Sequence, residues 1–205
     1  MLIDSSVATE FLNAWCGPIK GRDKVDPTLE KFWFQSSGAQ DEDVRQRWYA
    51  LLQQAAAGDC DHWAKTPRTC LALIIIFDQL PRVIYRGDAR AYAYDDLAQC
   101  LCLQGLELKY DTQLKLTERM FFYLPLEHSE EIAKQNLSVE CFLSLIDHFP
   151  EEVRSTHDFL SDAREHASII ERFGRFPYRN QILNRVNTAG ETRWLKGDEA
   201  TSFGQ

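Results

Sequence analysis

Thr66-Pro67-Arg68-Thr69-Cys70-Leu71-Ala72-Leu73-Ile74-Ile75-Ile76-Phe77-Asp78-Gln79-Leu80 is the stretch that decides the fold class. A threonine followed at once by proline is a helix start, because proline at the first helical position surrenders only an N–H that has no partner there anyway. Ile74-Ile75-Ile76 alone would equally suit a buried strand. The apolar run extends too far from its cap for a typical strand, so the spacing predicts a central helix to about Leu80, apolar on all sides.

The segments on either side repeat this logic. Ser5 or Ser6 is placed to cap a helix bearing Val7, Phe11, Leu12 and Trp15, ended by Gly17-Pro18. Asp26-Pro27 opens a short helix through Leu29, Phe32 and Trp33. Helical spacing continues at Val44, Trp48, Leu51, Leu52 and Ala55, with Gly58 as a stop. Asp88 is read as the cap of a segment with Ala93, Leu97, Leu101 and Leu108 inward. Ser129 is read as the cap of a helix burying Val139, Phe142, Ile146 and Phe149. Pro150-Glu151-Glu152 begins one with Phe159, Ala163, Ala167, Ile170 and Phe173 inward, and short helices near Asn180–Leu183 and Gly190–Leu195 follow. Alternation suited to strands is nearly absent and connections are short. An all-α fold of antiparallel hairpins in one domain over residues 1–205 is expected.

Composition narrows the class. The chain has 205 residues, 44% hydrophobic, with a formal net charge of −8. That balance opposes general attraction to nucleic acid or to an anionic membrane. The longest apolar run, Leu71 to Phe77, is far short of the roughly 18 to 20 residues that span a bilayer. Six cysteines lie scattered without paired or zinc-like spacing and read as small apolar residues in a reducing compartment. A cytoplasmic protein without metal or cofactor is the expectation.

Three polar segments stand apart. They are Asp78-Gln79-Leu80-Pro81-Arg82 with Arg86 and Arg90; Leu124-Pro125-Leu126-Glu127-His128-Ser129-Glu130; and Arg172-Phe173-Gly174-Arg175-Phe176-Pro177-Tyr178-Arg179-Asn180. Each mixes large apolar residues with charged ones at a proline where the helical pattern is expected to break. Charged groups among apolar residues are costly to bury unless they meet each other or a charged ligand, so the three segments are expected to converge on one polar site. If the chain stays helical past Pro81, the steps of four would point Arg82, Arg86 and Arg90 in one direction.

These segments, with Phe121-Phe122-Tyr123 and the early Phe32-Trp33-Phe34, resemble the DUF924 family of bacterial proteins of unknown function. The resemblance spans roughly residues 7 to 196. It implies an all-helical fold similar to tetratricopeptide-type hairpin arrays and supplies no reaction. Leu80 stands where the family usually has Phe, Val83 where it has Asn, Tyr178 where His is common, and Asn184 where Gly is common.

Arg82, Arg86, Arg90, Arg172, Arg175 and Arg179, with Gln79 and Asn180, are candidate ligands for an anion, since a guanidinium fork matches carboxylate or phosphate bidentately. The same arginines also suit internal pairing with Asp78, Glu127, Glu130 and Glu171. Glu127, His128 and Asp78 are the candidate acid–base groups, because histidine titrates near neutrality. His166 reads as a satisfied core histidine. Asp78, Glu127, His128 and His166 lack metal-site spacing. One of Phe32, Trp33 and Phe34 is expected to cover the polar site or form a contact surface. Two functions follow: binding of an anionic small molecule or acidic peptide, or an enzyme acting on an anionic substrate. A scaffold with a purely structural arginine network is the third possibility.

Overall fold

The computed structural model describes residues 2–17, 27–34, 38–150 and 158–197. Helix starts read at Asp26 and at Glu151-Glu152, the side chain of Phe34, and His157 lie outside them. Among the described residues there is no strand, and the fold is all-helical. The helices are α1 (Ser5–Trp15), α2 (Pro27–Phe34), α3 (Gly38–Ala56), α4 (Pro67–Ile84), α5 (Asp95–Glu107), α6 (Leu116–Glu127), α7 (Ile132–His148), α8 (Phe159–Phe173) and α9 (Ala189–Lys196). From α3 to α8 each helix packs on its successor. The α4 helix also touches α1 and α6, and α6 touches α8.

The α4 helix is the hub, buried on every face from Cys70 to Asp78. Thr66 occupies its cap position, but its hydroxyl pairs with that of Thr69 at 2.7 Å instead of capping an N–H. Both interior prolines depart from expectation. The α4 helix runs through Pro81 to Ile84, and α6 runs through Pro125 to Glu127. An interior proline costs about 3 kcal/mol. Leu80, Ile84, Leu126 and their neighbours are sealed in the core, so packing outweighs that cost.

Most stripes lie where helical spacing puts them. All five expected α3 positions are buried, as are Phe11, Leu12 and Trp15 of α1. Trp33 donates its indole N–H to the Trp15 carbonyl at 2.9 Å and meets Phe121 edge-on, while Phe32 lies edge-on to Trp15. The α5 stripe is displaced. Leu97 and Leu108 are exposed, and Ala98, Cys102 and Gly105 face inward. Asp88 caps only a short turn over Ala89–Tyr92, accepting from the Arg90 N–H. The α7 helix starts at Ile132 behind Glu131; Ser129 instead accepts the Glu131 N–H just ahead of it. On α7, Phe142 and Leu145 are buried, while Val139, Ile146 and Phe149 are only partly so. On α8, Ile169 and His166 join the inward face.

Cys60, Cys70 and Cys102 are buried free thiols, and Cys100 is exposed. No helix among the described residues is long and apolar enough to cross a membrane.

Gly105 marks the closest approach of α5 to α6, where a Cβ would collide with the Phe122 ring. Alanine in an exposed helix interior gains about 1 kcal/mol over glycine. At this contact the sign reverses: Gly105→Ala should destabilise by about 1–3 kcal/mol, read as a lower denaturant midpoint.

Candidate functional site

The end of α4 delivers Asp78 and Arg82 into the interior, one helical turn apart. Arg82 grips Asp95, at the start of α5, with both terminal nitrogens at 2.8 and 3.0 Å. Its Nη1 also donates to the Asp78 carbonyl at 2.6 Å and lies 3.3 Å from the Asp78 carboxylate. The end of α6 brings Glu127 and, as its C-cap, His128. His128 Nδ1 sits 2.7 Å from Asp78 Oδ1, and Gln79 donates to Asp78 Oδ2 at 2.6 Å. The α8 helix contributes His166, whose ring lies 6.4 Å from that of His128.

The third segment arrives after α8, which Gly174 ends in the left-handed region (φ 68°), where a side chain is disfavoured. Residues 174–188 then carry no α-helix and are pinned to the α6–α7 corner by Glu130. Its carboxylate accepts the Phe176 N–H at 2.8 Å and chelates Arg185 at 2.6 and 2.9 Å. Arg185 in turn holds the buried Asn180 through its side-chain oxygen at 2.8 Å. This pinning sets Arg179 beneath Tyr92 and Phe176, whose ring centres lie 4.7 and 4.4 Å from the guanidinium. Arg179 Nη1 donates to the His128 carbonyl at 3.1 Å and stands 3.8 Å from Asp95.

The charged segments therefore converge through Asp78, Arg82, Glu127, His128 and Arg179, with Asn180 supporting. The other candidate arginines sit elsewhere. Because α4 ends at Ile84, steps of four lose their meaning beyond it. Arg86 binds Asp41 of α3 at 2.8 Å, and Arg90 pairs with Asp88 over the Tyr85 ring. Arg175 clamps Glu191 of α9 at 2.6 and 2.8 Å, holding that carboxyl down at about 2, and Arg172 stacks on Phe173 at the surface. Gln79 faces two ways: its amide holds Asp78, and it borders a small cleft with Phe32 and Trp33. Asp95 and Tyr92 were missed as site members, while His166 is the satisfied core histidine expected, bonded to the Asp162 carbonyl at 2.9 Å and 3.4 Å from Glu127. The neighbouring tyrosine and the carboxylate so near Arg82 in sequence were the available signals.

Burial and charge sort the protonation states. Burial opposes ionisation of Asp78, but Arg82, His128 and Gln79 together outweigh it and keep the carboxyl below its usual range. Burial, helped by Arg82, lowers the His128 pKa, and burial drives His166 down to about 3. Burial pushes Glu127 well above the ordinary glutamate value, with Asp162 and Asp78 adding to it. Near neutrality the site therefore holds an ionised Asp78 and two neutral imidazoles, and burial favours the acid form of Glu127. Since the Asp78 carboxylate can only accept, His128 carries its proton on Nδ1 and presents a lone pair on Nε2.

Some donors and acceptors remain without hydrogen bonds among the described residues: Nε of Arg82, Nε and Nη2 of Arg179, and Oε2 of Glu127. Among the same residues, no group of three or more His, Cys, Asp or Glu is arranged to hold a metal ion.

The unfolded chain releases the Glu127 proton near 4.5, whereas the folded chain retains it to higher pH, so this group withdraws stability as pH rises above about 4.5. The histidines act oppositely. The unfolded imidazoles take up protons below 6.5 and the folded ones resist, so stability falls on acidification. Glu127→Gln should therefore gain on the parent protein progressively as the pH rises above about 4.5, measured as the difference in thermal midpoint.

The sequence profile of a family described as bacterial protein of unknown function matches residues 11–199, a span containing all three polar segments. Among solved structures, that of a protein of unknown function, ATU0120 from Agrobacterium tumefaciens, superposes with a TM-score of 0.79 at 32% identity, covering 95% of this chain and 100% of its own. No curated protein matches. Family match, fold and motif placement agree, and the chain belongs to the DUF924 family.

Proposed function

We propose that the protein binds a small anion at Arg179. One observation carries this: in a guanidinium with 3% exposure, Nη1 serves the His128 carbonyl, while Nε and Nη2, one complete side of its fork, lack a well-formed hydrogen bond, with the Tyr178 hydroxyl as the neighbouring protein group. That side is the geometry that grips a carboxylate or phosphate through two parallel bonds. Leaving buried donors unmade costs about 1–3 kcal/mol each, which an anion would recover on binding. Asp95 is an ion-pair neighbour of Arg179 on the Nη1 side, at 3.8 Å, and makes no hydrogen bond with Nε or Nη2. The depth of the guanidinium favours a small molecule or a terminal carboxylate over an acidic segment. Arg86, Arg90 and Arg175 have carboxylate partners and belong to the structural lattice.

Proton transfer on the bound anion is a second use of the same site. It is supported by the Asp78–His128 pair, which sets a neutral imidazole with its lone pair outward, and by Glu127 in its acid form. In that scheme His128 accepts the proton, Glu127 supplies one and Asp78 orients the ring.

Binding is tested by thermal unfolding in sodium acetate and sodium phosphate against sodium chloride at equal ionic strength. The midpoint should climb with the logarithm of anion concentration. Arg179→Lys, which keeps the charge and loses the planar fork, should weaken binding at least about tenfold. No response beyond chloride would refute the assignment. Proton transfer is tested by nitrogen NMR of the imidazoles. His128 should show the Nδ1–H tautomer and titrate below 6.5; a His128 protonated at that pH has no lone pair to offer.

A further inference from the structure

The displaced stripe of α5 borders a hollow. Helices α3 and α5 both pack on α4, and where α3 runs out through Ala55-Ala56-Ala57 to Gly58 the side chains are too small to fill the space between. A cleft of about 470 Å³ results. Leu73 and Phe77 of α4, both buried, lie in its lining, and Leu97 and Leu101 of α5 border it one helical turn apart. Leu97 itself is half exposed. Small-molecule sites occupy roughly 300–1,000 Å³, with mostly apolar walls and a few polar groups that fix orientation. Among the described residues lining this cleft, Asp61 is the one that carries charge, and no lysine or arginine joins it. Gly58 stands in the left-handed region at φ 87°, with the Asp61 carboxylate 3.3 Å from where a Cβ would sit, so the charge lies against the alanine wall. Among the described residues, that carboxylate takes part in no hydrogen bond or ion pair.

We propose that this cleft binds a small apolar amine, its hydrocarbon lying between the α3 alanines and the α5 leucines and its ammonium group paired with Asp61. The proposal is independent of Arg179. An anion is disfavoured because the charge it would meet is negative. A wholly apolar occupant would take water from the carboxylate and return nothing. An amine meets both surfaces. Apolar contact supplies most of the affinity and the ion pair sets the direction of the chain, since a solvent-screened pair contributes little by itself.

Cys100 reports occupancy, because it lines the cleft and is exposed, whereas Cys60, Cys70 and Cys102 are buried. Alkylation of Cys100 by iodoacetamide in the whole protein, followed by peptide mass spectrometry, should slow saturably as n-hexylammonium is added. Dissociation constants from this protection should fall about fifteenfold from n-butylammonium to n-hexylammonium, about fourfold for each buried methylene. Hexanol should bind about threefold more weakly than hexylammonium, and hexanoate more weakly still. Asp61→Asn should level hexylammonium with hexanol. Ala57→Trp, which fills the cleft from an exposed position, should abolish protection by every probe. Should the tryptophan variant not fold, the three head groups and Asp61→Asn decide alone. Equal protection by hexylammonium and hexanol in the parent protein, or stronger protection by hexanoate, would overturn the amine assignment. Alkylation indifferent to every probe would overturn the cleft as a site. A Cys100 inert before any probe is added, in a protein that sediments as a dimer, would give the cleft to a second copy of the chain and overturn the proposal equally.

Discussion

A single ionised carboxylate in the middle of the helical core organises this molecule. Asp78 is 1% exposed and lies on the helix that packs against α1, α3, α5 and α6. A lone charge at such a position would be neutralised or expelled, because desolvation in a low-dielectric interior costs several kcal/mol. Here Arg82, His128 and Gln79 surround it, and their joint effect exceeds the penalty. Each of those partners is thereby drawn to a fixed place, and the residues that touch them follow. Asp95 is held by Arg82 and the His128 carbonyl by Arg179, so the charge on α4 sets the geometry of three other regions.

The ionic lattice has two kinds of arginine. Outer ones such as Arg86 and Arg175 connect elements through paired carboxylates, and Arg90 closes on Asp88 of its own turn, at positions where solvent screens each pair. Inner ones, Arg82 and Arg179, are almost fully enclosed and leave part of their donor capacity unspent. The first kind describes how the fold is braced. The second is where a ligand gains most, because water competes least there.

How much of this is written in the chain differs from helix to helix. The α3 helix was fully legible, since its five inward residues are large and its outward ones charged. The α5 helix misled: its big leucines Leu97 and Leu108 point outward while small residues face in, because the Phe122 ring leaves room for nothing larger at Gly105. The α6 helix offered no pattern at all. It is buried around its circumference, and Pro125 disguises it further. Convergence of the polar segments was readable as a matter of desolvation cost, and the placements of Asp78, Arg82, Glu127, His128 and Arg179 follow it. The grouping of Arg86 and Arg90 with Arg82 assumed a helix that stops at Ile84. Asp95 looked like an ordinary first-turn acid, since nothing local to it announces what lies across from it.

The way Arg179 is delivered has a thermodynamic corollary. It rides on residues 174–188, which carry no α-helix, only a single 3-10 turn over Pro177–Arg179, and are tethered to the α6–α7 corner by the two oxygens of Glu130. Any occupant gripping Arg179 would stabilise the tether, and by linkage a firmer tether would tighten the occupant's binding by the same factor. Affinity for such an occupant would therefore depend on Glu130, the carboxylate that holds the tether.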